Sequence, residues 1–141
     1  MKKLVILRGL SGSGKSTHAT KHYQNAVLCS ADHFFQQKDG SYNFNPRQLG
    51  IAHNTCKDKA RKAMAHGEEI VVIDNTNSKI KEMKPYLKMA EEFGYETEVI
   101  RLICSKNVAH DRNKHNVPKE TIERMLSRFQ DYPGETCINT D

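Results

Sequence analysis

At 141 residues the chain is long enough to bury a core of its own and too short to add a second catalytic module. A hydrophobic fraction of 37% against 28% charged residues describes a globular protein with a polar surface, and no apolar run approaches membrane-spanning length. The formal charge of +5 and a pI near 9.0 favour polyanionic partners, nucleic acid among them. Cys29, Cys56, Cys104 and Cys137 stand singly, without a C-x-x-C or a paired-histidine spacing, which points to thiols in a reducing, cytoplasmic compartment.

Leu4 to Arg8 is a nearly continuous apolar run of the kind a parallel sheet buries on both faces, and so a first strand instead of a signal peptide. It leads into Gly9-Leu10-Ser11-Gly12-Ser13-Gly14-Lys15-Ser16, which fits G-x-x-x-x-G-K-[ST] at every fixed position. Glycines at 9, 12 and 14 allow successive N–H groups to turn inward toward phosphate oxygens, and the following helix adds its positive end. Lys15 then reaches the β- and γ-phosphates, and the Ser16 hydroxyl is placed for Mg²⁺. The expected nucleotide contacts run from Gly9 through Thr17. Together these residues predict binding of ATP or another nucleoside triphosphate.

A helix is expected from about Lys15 to Gln24, then a second strand over Ala26 to Ser30. Ligands of open α/β sheets sit beyond the carboxyl ends of the strands, which puts Asp32 beside the phosphate loop. Phe34 to Pro46 reads as an ordered loop with a turn at Lys38-Asp39-Gly40-Ser41 between two aromatic arms. Phe34, Phe35, Tyr42 and Phe44 either close that loop on itself or offer a stacking surface to a base. Asn45-Pro46 opens a helix ending near His66, in which Leu49, Ala52, His53, Cys56, Ala60, Ala63 and Met64 form a core-facing stripe. Its lysines and arginine face solvent, and His53 reads as an interior or boundary residue.

Glu69 to Asp74 is a third strand ending in an acid, the Walker-B arrangement that orients Mg²⁺ or its waters. Asn75-Thr76-Asn77 places compact polar groups at the same edge, with an Asx-turn and helix cap as the competing reading. Lys79 to Phe93 forms a third helix stopped by Gly94, and Tyr95 to Cys104 a fourth strand. Lys106 to about His115 and Pro118 to about Arg128 make a pair of helices, with Arg112, Asn113, Lys114 and His115 at the joint; residues 106–120 are expected to form a lid over the nucleotide. Pro133 to Asp141 adds one edge strand around Thr136 to Ile138 or frays. The alternation predicts one α/β domain over 1–141, a parallel sheet of four to five strands with helices on both faces.

Gly9 to Ser16, Ser30-Ala31-Asp32, Asp74-Asn75-Thr76-Asn77, and Arg112-Asn113 followed by Val117-Pro118 resemble, in order and spacing over residues 4–130, the phage-type 5′-hydroxyl polynucleotide kinases and the predicted P-loop kinases related to them. The resemblance implies a P-loop kinase fold that transfers the γ-phosphate of ATP to the 5′-hydroxyl of DNA or RNA. It implies Lys15 and Ser16 as nucleotide and metal residues, Asp32 as general base, Thr76 beside the acceptor pocket, and Arg112 as a lid arginine on the donor phosphates. Phe35 stands where the phage enzymes carry an arginine that grips the acceptor strand.

The resulting expectation is in-line phosphoryl transfer with Asp32, Lys15 and Arg112 as catalytic residues. The acceptor would lie against Asp32, Phe35, Thr76 and Asn77, and Mg²⁺ against Ser16 and Asp74. The partner would be a nucleic-acid 5′-hydroxyl end, with no membrane and no obligatory protein. Two rivals stand beside it: a kinase for a nucleoside, sugar or similar alcohol, and a nucleotide-dependent binding module with little turnover. The second needs only the phosphate loop, whereas Asp32, Asp74 and Arg112 are all present.

Overall fold

The computed structural model describes residues 2–10, 13–112 and 118–140. Five strands, β1 (Lys3–Arg8), β2 (Val27–Cys29), β3 (Ile70–Asp74), β4 (Glu96–Ile103) and β5 (Thr136–Asn139), form one parallel sheet in the order β2-β3-β1-β4-β5. The helices are α1 (Lys15–His22), α2 (Leu49–Ala65), α3 (Ile80–Phe93), α4 (Lys106–Arg112) and α5 (Lys119–Ser127). No helix among the described residues is long and apolar enough to cross a membrane.

Strand alternation sorts the core into two layers. Leu4 and Ile6 of β1, with Val71 and Ile73 of β3, meet Cys56, Ala60 and Met64 of α2 and Met83 and Tyr86 of α3. Val5, Leu7 and Val72 point the other way, onto Ala19 of α1. A strand buried on both faces cannot alternate apolar with polar residues, which is why these segments read as continuous apolar runs. A third cluster joins Leu10 of the phosphate loop to Cys104, Ala109 of α4 and Ile122 of α5.

The first helix ends two residues sooner than its pattern predicts. Tyr23 leaves helical geometry (φ −133°, ψ 56°), and its hydroxyl runs to Glu98 at 3.3 Å. Ahead of α2 lies a 3₁₀ turn, Pro46–Gln48, capped by the Asn45 side chain accepting from the Arg47 N–H at 3.0 Å. Leu49, expected in the core stripe, is 40% exposed. It belongs to the first turn of α2, before the helix reaches the sheet. The chain end does not fray where described: β5 pairs with β4 from Ile100↔Thr136 to Ile103↔Asn139.

Register places the chemistry. Leu7 lies opposite Asp74 across β1 and β3, and Cys29 opposite Ile73 across β2 and β3. Gly9, Asp74 and the segment after Cys29 therefore emerge together at one edge of the sheet.

Candidate active site

The loop after β1 is shaped by close approach. Gly9 has φ +154°, and a Cβ there would fall 2.5 Å from Ser13 Oγ and 2.8 Å from the Leu102 carbonyl oxygen, so no side chain fits. Gly14, at φ +94°, turns the chain into α1. The Gly9 N–H donates to the Thr76 carbonyl at 3.1 Å, and the Ser13 N–H to that of Leu10 at 3.0 Å. The Leu10 side chain is buried, leaving only its backbone to face a ligand, and the buried Ser13 hydroxyl has no partner among the described residues. Ser11 and Gly12 lie outside the described residues.

Lys15 Nζ donates to the carbonyls of Gly9 (2.6 Å) and Leu10 (2.8 Å). Desolvation lowers its pKa from the ordinary lysine value, against the opposing pull of Asp74 and Asp32. Both carboxylates are thus near enough to act on this ammonium. Ser16 Oγ donates to Asp74 Oδ2 at 2.9 Å. A hydroxyl against a nearly buried carboxylate is a hard-oxygen donor set of the kind Mg²⁺ takes, and it fits an ion that would complete its shell from phosphate and water. Among the described residues no three or more His, Cys, Asp or Glu side chains form a metal cage.

Asp32 rides on a 3₁₀ turn, Ala31–Phe35, directly after β2. The turn is fastened at its start: Ser30 Oγ accepts from the Asp32 N–H at 3.2 Å, and Asn75 Oδ1 from the Ala31 N–H at 2.8 Å. The carboxylate itself accepts from the Tyr42 hydroxyl at 3.1 Å. Tyr42 reaches it because the expected turn forms, pairing Gln36 with Tyr42. Burial first, and then the Asp32 charge, push the Tyr42 pKa well above the ordinary tyrosine value, so the phenol stays a donor.

Phe35 and Asn77, both expected against the acceptor, lie in the interior. Phe35 is 2% exposed, packed with Ala31 and Ala52, and its ring stands edge-on to Phe34, Tyr42 and Phe44. It is the floor of an aromatic cluster. Asn77 is also 2% exposed; its Nδ2 donates to the Leu7 carbonyl at 2.8 Å, and it holds φ +49°, a conformation asparagine tolerates better than most residues. Its work is structural. Thr76 is half-buried and touches the loop through its carbonyl, which accepts from the Gly9 N–H. The open part of the cluster is Phe44, 48% exposed, its ring parallel to that of Tyr42 at 6.5 Å.

Arg112, at the end of α4, donates through Nη2 to the Thr140 carbonyl at 2.7 Å, while Thr140 Oγ1 donates to the Ser13 carbonyl at 2.7 Å. The arginine is therefore one residue removed from the phosphate loop, and the residue between them comes from the chain end beyond β5. Nothing in the local sequence signals Thr140; only the pairing of β5 brings it there. The remaining lid residues named from sequence, Asn113, Lys114, His115 and Val117, lie outside the described residues. A second group that sequence reading passed over is Arg8, fully buried behind the loop, with Nε donating to the Asn77 carbonyl at 2.8 Å and Nη1 to Glu135 at 2.7 Å. It read as one more strand residue because a single charge at a strand end carries no period.

The chain is 36% identical over 143 residues to NEDD4-binding protein 2 of Homo sapiens; the match takes in 96% of this chain and only 8% of that much longer protein. A chain of the Pnkp1/Rnl/Hen1 RNA repair complex superposes with a TM-score of 0.73 at 21% identity, over 92% of this chain and 44% of that one. A sugar kinase of Janibacter sp. HTCC2649 does so with a TM-score of 0.64 at 16% identity, over 100% and 86%. At such identities the two structures establish a shared fold. Residues 4–132 match the family described as AAA domain, and the chain belongs to that family.

Proposed function

We propose that the chain is an ATP-dependent kinase that transfers the γ-phosphate to the 5′-hydroxyl of a nucleic acid, with Asp32 as general base. The observation that carries this reading is the Asp32 carboxylate, fixed by Tyr42 at 3.1 Å beyond β2 and near enough to Lys15 that its charge, with that of Asp74, opposes the lowering of the lysine pKa by burial. A nucleotide-binding module needs no carboxylate there; a kinase does.

Loop amides from Gly9 to Gly14 and the start of α1, with Thr17 beside it, would hold the donor phosphates. Lys15 would exchange the Gly9 and Leu10 carbonyls for phosphate oxygens. Ser16 and Asp74 would hold Mg²⁺, which when bound neutralises phosphate charge. Asp32 accepts the proton of the acceptor hydroxyl as its oxygen attacks the γ-phosphorus in line, and the bond to the bridging oxygen breaks to release the nucleoside diphosphate. Arg112 lies within one residue of the loop, where it can meet charge developing on the transferred group. The net charge of +5 and the structural likeness to an RNA repair complex favour a nucleic-acid acceptor.

A second reading, a kinase for a small alcohol, draws support from Phe35, which is buried where an acceptor-gripping arginine would otherwise be, and from the likeness to a sugar kinase. The experiment that separates them is transfer from γ-labelled ATP with Mg²⁺, offering 5′-hydroxyl DNA and RNA oligonucleotides beside nucleosides and sugars. Label is expected on oligonucleotide 5′ ends, lost by about a hundredfold or more in Asp32→Asn with ATP affinity unchanged. Label on a small alcohol alone overturns the nucleic-acid reading, and full activity in Asp32→Asn removes the base.

A further inference from the structure

We propose that Asn75 is a positioning residue that sets the Asp32 turn against the nucleotide half of the site; the inference rests on the reading of Asp32 as general base. Asn75 follows Asp74 at the end of β3, and the two side chains divide their work. Asp74 accepts from Ser16, at the start of α1, at 2.9 Å. Asn75 turns the other way and accepts from the Ala31 N–H at 2.8 Å. One dipeptide thus connects the helix that carries Lys15 to the turn that carries Asp32.

The connection is anchored from behind. Asn75 Nδ2 donates to Cys56 Sγ at 3.5 Å, and the Tyr86 hydroxyl donates to the same sulfur at 3.3 Å. Cys56 and Tyr86 are both buried, in α2 and α3, so the amide plane is held by two helices and cannot swivel freely. This orientation decides which end of the amide faces the turn: the nitrogen meets the thiol, and the oxygen meets Ala31. The Ala31 N–H opens the 3₁₀ turn and has no partner within it, as the first N–H groups of any helical segment do not. Ser30 Oγ takes the next N–H, that of Asp32. With Asn75 and Ser30 both accepting, the backbone under the candidate base is fixed at two successive amides, and Tyr42 fixes the carboxylate at its tip.

Asn75 touches no reacting atom in this arrangement. Its effect is on where Asp32 stands, and a displacement of about 1 Å in a catalytic group can lower turnover by about a hundredfold. The test compares Asn75→Leu, which keeps the shape and loses the acceptor, with Asn75→Asp, which keeps an oxygen facing Ala31 and loses the donor to Cys56. Expected is a fall in kcat of about 10- to 100-fold for Asn75→Leu with KM for ATP within about twofold. Asn75→Asp is expected to fall between the wild type and Asn75→Leu in turnover, because it keeps the acceptor for Ala31 but loses the anchor to Cys56 and adds a charge beside Asp74. The Ala31 amide should exchange with solvent faster in Asn75→Leu than in the wild type, by NMR.

Equal losses in both variants, or a parallel loss of ATP affinity and turnover in Asn75→Leu, overturn the proposal by making Asn75 a general packing residue. Should Asn75→Leu not fold, the Asn75→Asp protein decides on the same readings, since a loss of turnover there to the level of Asp32→Asn overturns it. Should the wild type phosphorylate no acceptor, the kinase reading falls first, and the Ala31 amide decides the positioning claim alone: unchanged exchange in Asn75→Leu ends it.

Discussion

Tyr42 illustrates what a single hydroxyl contributes at this site. Its bond to Asp32 restricts the carboxylate to a narrower set of rotamers than a side chain in open solvent would sample, and a hydrogen bond to a charged acceptor is worth about 1.5–3 kcal/mol when buried, less where solvent competes. Tyr42→Phe is expected to lower kcat about 3- to 10-fold with unchanged ATP affinity, measured by steady-state kinetics at saturating acceptor. Burial and the neighbouring Asp32 raise the pKa of this phenol, so its proton stays on through the alkaline range in which an ordinary tyrosine ionises. Rate profiles of the wild type and Tyr42→Phe should therefore run parallel up to about pH 10. A wild-type loss near pH 10 absent from Tyr42→Phe would show that the phenol ionises there and is not held as described. That Asp32, Lys15, Ser16 and Asp74 gather at one sheet edge was legible in the sequence because each sits at a fixed offset from an apolar strand. The interior place of Phe35 and Asn77 was not, since burial of a loop side chain is decided by distant partners: Ala52 of α2 for one, the Leu7 carbonyl for the other.

At the scale of elements, β5 brings the chain end against the loop after β1. A four-residue edge strand is too short for a period, and the tail from Pro133 reads from sequence as strand or fraying end with equal ease. What settles it is an open edge on β4, whose Arg101 and Ile103 pair with Cys137 and Asn139. The strand then delivers Thr140, whose hydroxyl bridges to the Ser13 carbonyl and whose own carbonyl holds Arg112. The main elements were otherwise readable, with ends shifted by one to three residues where a local interaction won. Examples are Tyr23 turning out to Glu98 and Asn45 capping a 3₁₀ turn before α2. Thr140→Val keeps the shape and the carbonyl but removes the hydroxyl, so the loop loses a bond worth about 0.5–1.5 kcal/mol while Arg112 keeps its anchor. The expected outcome is a 3- to 10-fold rise in KM for ATP with kcat within about twofold, and recovery in Thr140→Ser. A kcat effect as large as the KM effect would mean that the chain end acts on chemistry rather than on the loop.

Across the whole molecule, Arg8 ties together three segments distant in sequence, two of which also meet through the Gln130 N–H on the Ser78 carbonyl at 2.8 Å. It is fully buried, and its guanidinium donates to the carbonyls of Asn77 (2.8 Å), Ser78 (3.0 Å) and Gln130 (2.6 Å) and to Glu135 (2.7 Å), with Phe129 over its face at 5.6 Å. Glu135 is held in turn by the Tyr132 N–H at 2.9 Å, and Arg101 lies 3.7 Å from its second oxygen. One side chain at the end of β1 thus joins the segment after β3, the segment after α5 and the approach to β5. A buried ion pair is weak evidence of net stabilisation when both partners could be replaced by apolar groups, because desolvating two charges offsets their attraction. Here that exchange is not open, since the buried Asn77 carbonyl and the Glu135 carboxylate would lose their donor, although the Ser78 carbonyl keeps the Gln130 N–H. Arg8→Met is therefore expected to destabilise the fold by about 3–5 kcal/mol, read as a fall in the denaturant midpoint at unchanged slope. Arg8→Lys should be intermediate, because an ammonium keeps the charge but cannot span three carbonyls and a carboxylate in one plane. Binding of ATP to the folded state alone adds about 2.7 kcal/mol at a hundred times Kd, so the Arg8→Met protein should regain much of the lost midpoint when nucleotide is saturating. If Arg8→Met unfolds at the wild-type midpoint, the carbonyls are satisfied by other means and the segments are held by their remaining contacts, the Gln130–Ser78 backbone bond among them. If it unfolds early and nucleotide does not restore it, the damage reaches the phosphate loop itself, through the Thr76 carbonyl that accepts from Gly9.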